Sequence, residues 1–264
     1  MDGLEHAAAD VAGNVLFFEP FLESDMAERT NFGIDAPGVI RNFLLLSLGS
    51  LVLAWAGGYF LPGSNLLPNL GVGFAVSFAL QGALMLWTSL VGKSMSARQL
   101  LDEMQLRGFE RVLDVGCGRG LLLLGAAQRL PHGRAVGLDL WNATDLSGNT
   151  RAATEANAHA LDVAGRIDLV DGDMCAMPFA DGEFDVVVSS LAVHNVYDAP
   201  GRNRALSEMA RVLKPGGRVA LQDFRHTADY ANTLRAAGFV DVRRRLVNPL
   251  LMFPPTWRVS ATKG

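Results

Sequence analysis

"VLDVGCGRG", residues 112–120, sets three glycines and one carboxylate in a single turn directly behind an apolar run. The stretch behind it, "LLLLGAAQRL", reads as a helix, so the turn joins a strand to a helix where a doubly wound sheet binds its ligand. Gly116 and Gly118 let the backbone approach that ligand where a side chain would block it. The spacing argues against two phosphate-binding turns. A dinucleotide fingerprint runs G-x-G-x-x-G, and Leu121 stands where its last glycine would be. The Gly-Lys-Ser/Thr ending of a P-loop is absent. Asp114, two residues before the turn, would repel a pyrophosphate but suits an ammonium group, directly or through water.

Downstream of Lys93 short β-rich runs alternate with helical stretches. The runs are "RVLDVG", "RAVGLDL", "RIDLVDGD", "FDVVVSSLAV", "RVALQDF", "DVRRRLV" and "WRVSATK". Helical patterns separate the first five, which predicts a largely parallel sheet with helices on both faces. The last two are joined by "NPLLMFPP", and an antiparallel hairpin at one edge is expected there. The fold class is α/β, a doubly wound, mostly parallel sheet. Ahead of the first strand "SMSARQLLDEMQLRGF" has helical spacing, with Ser94 or Ser96 as its cap.

Two more carboxylates fit one ligand. Asp139 ends the second strand, where it can accept hydrogen bonds from both hydroxyls of a ribose. Asp173 ends the third in "VDGDM", in position to accept from an adenine amino group. Three carboxylates at the ends of three successive strands, one beside a glycine turn, form a pattern that no single one would make.

On these stretches, with "DGDMCAMPFADGEFDVVVSS" and "EMARVLKPGGRVALQDF", residues 108–224 resemble the class I S-adenosylmethionine-dependent methyltransferases in their small-molecule branch. The resemblance implies a seven-stranded, Rossmann-like sheet with an antiparallel last strand. It also implies S-adenosylmethionine as methyl donor and S-adenosylhomocysteine as product. By position Asp114, Gly116 and Gly118 meet the methionine end, Asp139 the ribose, and Asp173 with Met174 the adenine. Trp141 is expected either near the adenosine or in the core.

Methyl transfer from a sulfonium is a direct displacement, so alignment and water exclusion are the enzyme's main tasks. In the family the acceptor usually comes to the segment after the fourth strand, here "SSLAVHNVYD". That segment resembles quinone-biosynthesis C-methyltransferases, which carry Arg-Asn-Val where this chain has His194, Asn195 and Val196. His194 is the candidate base, since an imidazole titrates near neutrality; binding alone is the alternative. Asn195, Tyr197 and Asp198 are candidates for the same pocket. The turn-rich "ATDLSGN" fits a lid or an ordinary loop, with Asp145 and Asn149 as polar contacts and Asn149 or Thr150 as cap of the next helix. His226 is a second candidate facing the pocket, and Cys117 reads as a backbone requirement rather than a reactive thiol.

Upstream of the glycine turn lie two uncharged stretches, "FLLLSLGSLVLAWAGGYFL" (43–61) and "LGVGFAVSFALQGALMLWTSLVG" (70–92). Nineteen helical residues reach about 28 Å, close to a bilayer's hydrocarbon thickness. Pro62, Gly63 and Pro68 mark a turn between them. Arg41 precedes the first stretch and Lys93, Arg98 and Arg107 follow the second. The positive-inside rule then predicts an integral membrane protein with the catalytic domain and both ends on the cytoplasmic side. Small residues along both stretches allow close helix packing and a homodimer. The competing readings are buried helices of a soluble protein and a cleaved signal peptide; the acidic residues ahead of the first stretch speak against the latter. The expected division is an acidic segment 1–38, two spans over 39–92, and a methyltransferase domain over 93–264. In the acidic segment "NVLFFEPFLE" suits a membrane surface, closure over a ligand, or packing on the main domain.

With a net charge of −4, the 264-residue chain has no basic footprint for nucleic acid. Two cysteines make no disulfide framework, and no cluster of ligand residues predicts a metal. Half of the residues are hydrophobic, high for a wholly soluble protein. The expected function is methyl transfer, at a membrane, to a small or lipophilic acceptor. The alternatives are a soluble amine, thiol or phenol methylated by a tethered enzyme, a cofactor-binding sensor or scaffold, and, against the glycine spacing, a nicotinamide reductase.

Overall fold

The computed structural model describes residues 30–142 and 146–264. The acidic segment through residue 29, with its phenylalanine cluster, and Asp145 lie outside the described residues.

Strands β1 (Arg111–Val115), β2 (Arg134–Asp139), β3 (Ile167–Asp171), β4 (Phe184–Ser190), β5 (Leu213–Asp223), β6 (Phe239–Leu246) and β7 (Trp257–Lys263) form one sheet. Their order is β3-β2-β1-β4-β5-β7-β6, with β7 antiparallel to both neighbours and the other pairs parallel. The order reverses between β1 and β4, and a crevice opens there at the strands' C-terminal ends. Side chains alternate across the sheet. Leu113, Val115, Val187 and Val219 pack toward α6 (Ala199–Val212) and α7 (Thr227–Ala236). Val112, Ala135, Val186 and Ala220 pack on the other face, toward α3 (Lys93–Glu103), α4 (Leu121–Gln128) and α5 (Arg151–Ala160). Strands covered on both sides are predominantly apolar, which is why the sequence runs read so clearly.

Two expectations change. No helix separates β3 from β4. Residues 172–183, interrupted by Pro178 and Gly182, run as turns, and Arg211 holds them through the carbonyls of Met177 and Phe179. Nor do Ser94 or Ser96 cap a helix, because no helix begins there. One helix continues from Leu66 to Glu103, through α2 (Leu66–Trp87), a π-helical turn at Thr88–Gly92, and α3. Ser96 instead is buried and donates to Gln222 Oε1 at 2.8 Å.

α1 (Pro37–Phe60) and α2 form a hairpin of two helices long and apolar enough to cross a membrane. They are not core helices of the sheet domain: of α1 only Ala54 and Gly57 are buried, while Leu53, Trp55 and Phe60 are about 70% exposed. The helices meet closely because a Cβ on Gly71 would sit 2.7 Å from that of Ala54. Ser47 adds a bond to the carbonyl of Ala75.

Candidate active site

The glycine turn leaves β1 with positive φ at Gly116, Gly118 and Gly120. At Gly116 a Cβ would fall 2.3 Å from that of Ala192, so the chain after β4 can close against the turn only because glycine stands there. Asp139 braces the turn from β2. Its Oδ2 accepts from Gly118 N at 2.7 Å, and its Oδ1 from Trp141 N and Asn149 Nδ2. Thr150 caps α5 through Ala153 N, which frees Asn149 to turn inward to Asp139.

Two cavities meet at Gly116, Gly118 and Leu146. One, of about 240 Å³, is lined by Asp139, Asn149, Asp173, Met174, Asn195 and Tyr197. The other, of about 80 Å³, is lined by Asp114, Lys93, Asp35, Arg119 and Leu191. Asp114 is buried, with Oδ2 accepting from Leu123 N at 2.9 Å and Oδ1 without a partner. Burial, reinforced by the Asp139 charge against the opposing Leu123 bond, raises its carboxyl to about 8. An orphaned buried carboxyl oxygen is a ready receptor for an ammonium. Tyr197, 98% exposed, stands on the rim of the Asp139 cavity, apart from the cavity of His194 described below. Trp141 lines neither cavity. Its indole donates to Asp171 and its ring packs on the core. Cys117 is buried, and burial holds its thiol well above the usual range, as expected of a structural cysteine.

Lys93 was legible only as a charge flanking the hairpin, yet it is buried. Its Nζ donates to the carbonyls of Phe32 and Gly33 and to Asp35 Oδ1. Burial lowers the ammonium's pKa, and Asp35 opposes the shift. Residues 30–36 thereby become a strap across the cofactor crevice. The strap is tied to Asn157, to Ser147, and by Asp35 to Ser89. Nothing in the sequence marked it, because its partners lie 54 to 126 positions away.

A third cavity, of about 350 Å³, lies between the hairpin and the sheet domain. Val39, Phe43, Gln81 and Met85 line it from the hairpin, and His194, Asn195, Phe224, Arg225, Met252 and Phe253 from the domain. Asp35 and Leu191 border both this cavity and that of Asp114, and Asn195 borders it and that of Asp139. His194 sits on a 3₁₀ turn after β4, its Nδ1 2.9 Å from Asp223 Oδ1, a close approach not aligned as a hydrogen bond. Asp223, at the end of β5, also accepts from His194 N and from the hydroxyl of Tyr230. Burial and the Asp223 charge push that phenol's pKa up, which keeps it a donor. Asp223 obeys the rule that exposed Asp139: a carboxylate ending a parallel strand. His226 does not line the cavity; it lies exposed, 3.8 Å from Asp229.

No group of three or more metal-ligating side chains occurs among the described residues. The orphaned Asp114 oxygen, the glycine cradle and the strand-end carboxylates suit a ligand with an ammonium at one end and a ribose in the middle. Residues 113–221 match the methyltransferase domain family, and this stretch is a class I S-adenosylmethionine-dependent methyltransferase domain. The chain is 38% identical over 125 residues to the ubiquinone/menaquinone biosynthesis C-methyltransferase UbiE of Dinoroseobacter shibae, covering 47% of this chain and 46% of that protein. It is 35% identical over 131 residues to the chloroplastic 2-phytyl-1,4-beta-naphthoquinone methyltransferase of Arabidopsis thaliana, covering 49% and 48%. The chain thus spans about half the length of the curated relatives it matches. The fold is also that of geranyl diphosphate C-methyltransferase from Streptomyces coelicolor, solved with S-adenosyl-L-homocysteine, at a TM-score of 0.51 and 17% identity over 65% of this chain and 76% of that one.

Proposed function

We propose that this protein is a membrane-anchored methyltransferase whose acceptor is a lipophilic hydroxyaromatic molecule of the quinol type. One observation carries the reading: the cavity beside His194 has one wall made by the apolar hairpin and the other by the methyltransferase domain. An acceptor dissolved in the bilayer would reach that cavity along the hairpin, and tethering keeps the enzyme where such an acceptor is concentrated. Relatives named for quinone and naphthoquinone methylation support the acceptor class. The cytoplasmic orientation rests on Arg41 and Lys93 flanking a hairpin whose connecting loop has no Lys or Arg.

S-adenosylmethionine, when bound, supplies an electrophilic methyl group. Asp114 holds the ammonium end, Asp139 the ribose, and Asp173 with Met174 the adenine side. Leu191 and Asn195 border donor and acceptor cavities alike and align the two. His194 takes the proton that the acceptor hydroxyl loses. The buried Asp223 carboxylate beside Nδ1 stabilises the resulting imidazolium, and Tyr230 holds that carboxylate in place. Asn195 and Arg225 offer polar contacts to the acceptor ring, and Val39, Phe43, Met85 and Phe253 enclose its apolar part.

The test uses the full chain in lipid nanodiscs with methyl-labelled S-adenosylmethionine. It compares a prenylated naphthoquinol with a water-soluble quinol bearing the same ring. Label in the prenylated product is expected. Label only in the soluble quinol would leave the hairpin as a tether, and no label with the cofactor demonstrably bound would favour a sensor.

A further inference from the structure

The connection from β6 to β7, residues 247–256, has two faces with opposite surroundings. Inward, Val247, Leu251 and Met252 form a small buried cluster with Met95 and Leu191, and Met252, Phe253, Pro254 and Thr256 line the acceptor cavity. Outward, Leu250 is 79% exposed. The connection is fastened to the hairpin's last turn rather than to the sheet. The indole of Trp87 donates to the carbonyl of Leu250 at 2.9 Å, and Thr88 Oγ1 accepts from Phe253 N at 2.9 Å. Gly92 completes the joint, since a Cβ there would lie 1.7 Å from the carbonyl oxygen of Leu251. Trp87, Leu90 and Leu246 are exposed as well, so an apolar rim continues from the hairpin onto the domain.

We propose that this connection is a membrane-seated lip. Leu250, with Leu90 and Leu246 beside it, enters the interfacial layer of the bilayer, so that the acceptor cavity opens to lipid rather than to water. The occupant is the bilayer because the rim is continuous with the hairpin and bonded to its end. A tryptophan at that height, apolar on its face and hydrogen-bonded at its nitrogen, belongs at a membrane interface. The inference rests on the membrane reading of the hairpin.

The experiment attaches an environment-sensitive fluorophore to single cysteines in a Cys175→Ser background, with Cys117 buried and unlabelled. The full chain is reconstituted in nanodiscs containing lipids with a quencher near the head of the acyl chain. Leu250→Cys reports on the lip and Leu53→Cys on the hairpin. Gly165→Cys, ahead of β3 at the opposite end of the sheet from the cavities, is the aqueous control. Retained binding of S-adenosylhomocysteine shows that each labelled protein is folded. Quenching at 250 and 53 and none at 165 is the expected result. Quenching at 53 without quenching at 250 overturns the lip and leaves the anchor standing. Quenching at neither position overturns both.

Discussion

Asp114 illustrates how one side chain ties burial to ligand chemistry. Its carboxyl is raised to about 8, chiefly by burial, so below that pH it is protonated in the empty protein. Holding an ammonium requires the carboxylate, and binding therefore releases a proton. Affinity for S-adenosylhomocysteine should rise about tenfold per pH unit from 6 toward 8, and level off as the carboxyl ionises unaided. Calorimetry in buffers of differing ionisation enthalpy reads the released proton directly. Asp114→Asn should bind weakly and without that slope. At His194 the expectation is different. His194→Ala should leave S-adenosylhomocysteine affinity within about threefold and lower turnover about tenfold or more. Asp223→Asn should reproduce part of that loss and shift the pH profile of kcat, because the imidazolium loses its counter-charge. Unchanged turnover in His194→Ala would remove the proton-transfer role.

Among the elements, the continuous helix from α2 into α3 does more than connect. Its π-helical turn sets Thr88 and Gly92 against the β6–β7 connection and Ser89 against the strap. Such widened turns often sit at functional sites. Gly92→Ala has to displace the Leu251 carbonyl and should cost about 1–3 kcal/mol of stability. It should also raise KM for a lipophilic acceptor more than that for the cofactor; thermal unfolding and steady-state kinetics measure the two effects. In the sequence this region showed only a glycine at the end of an apolar run. Its π geometry and its missing Cβ become intelligible once the loop, some 160 positions onward, is seen to dock there.

For the molecule as a whole, the hairpin exposes large apolar side chains along its length and attaches beside the C-terminal edge of the sheet, where the cavities of Asp114, Asp139 and His194 lie. Expressed in cells, the full chain should stay in the membrane pellet through alkaline carbonate extraction; release into the soluble fraction would make the hairpin a peripheral packing element.

Much of this was determined locally. Apolar runs alternating with helical stretches dictated the strands, the glycines dictated a tight turn from strand to helix, and Asp139 and Asp173 marked residues that line one cavity. Each follows from period, backbone sterics or charge within a few residues. The uncharged stretches likewise announced their length and apolarity. What only the tertiary structure decided is which distant groups share a space. Lys93 became a buried clasp for the strap, Asp223 a partner of His194, and the hairpin a wall of the cavity beside His194. Segment 172–183 departed from local expectation, held as turns by Arg211, and the expected helix at 93–103 formed without its own serine cap, as the end of a longer helix. Packing between elements far apart in the chain selects those outcomes, and that energy leaves no periodic trace in the sequence.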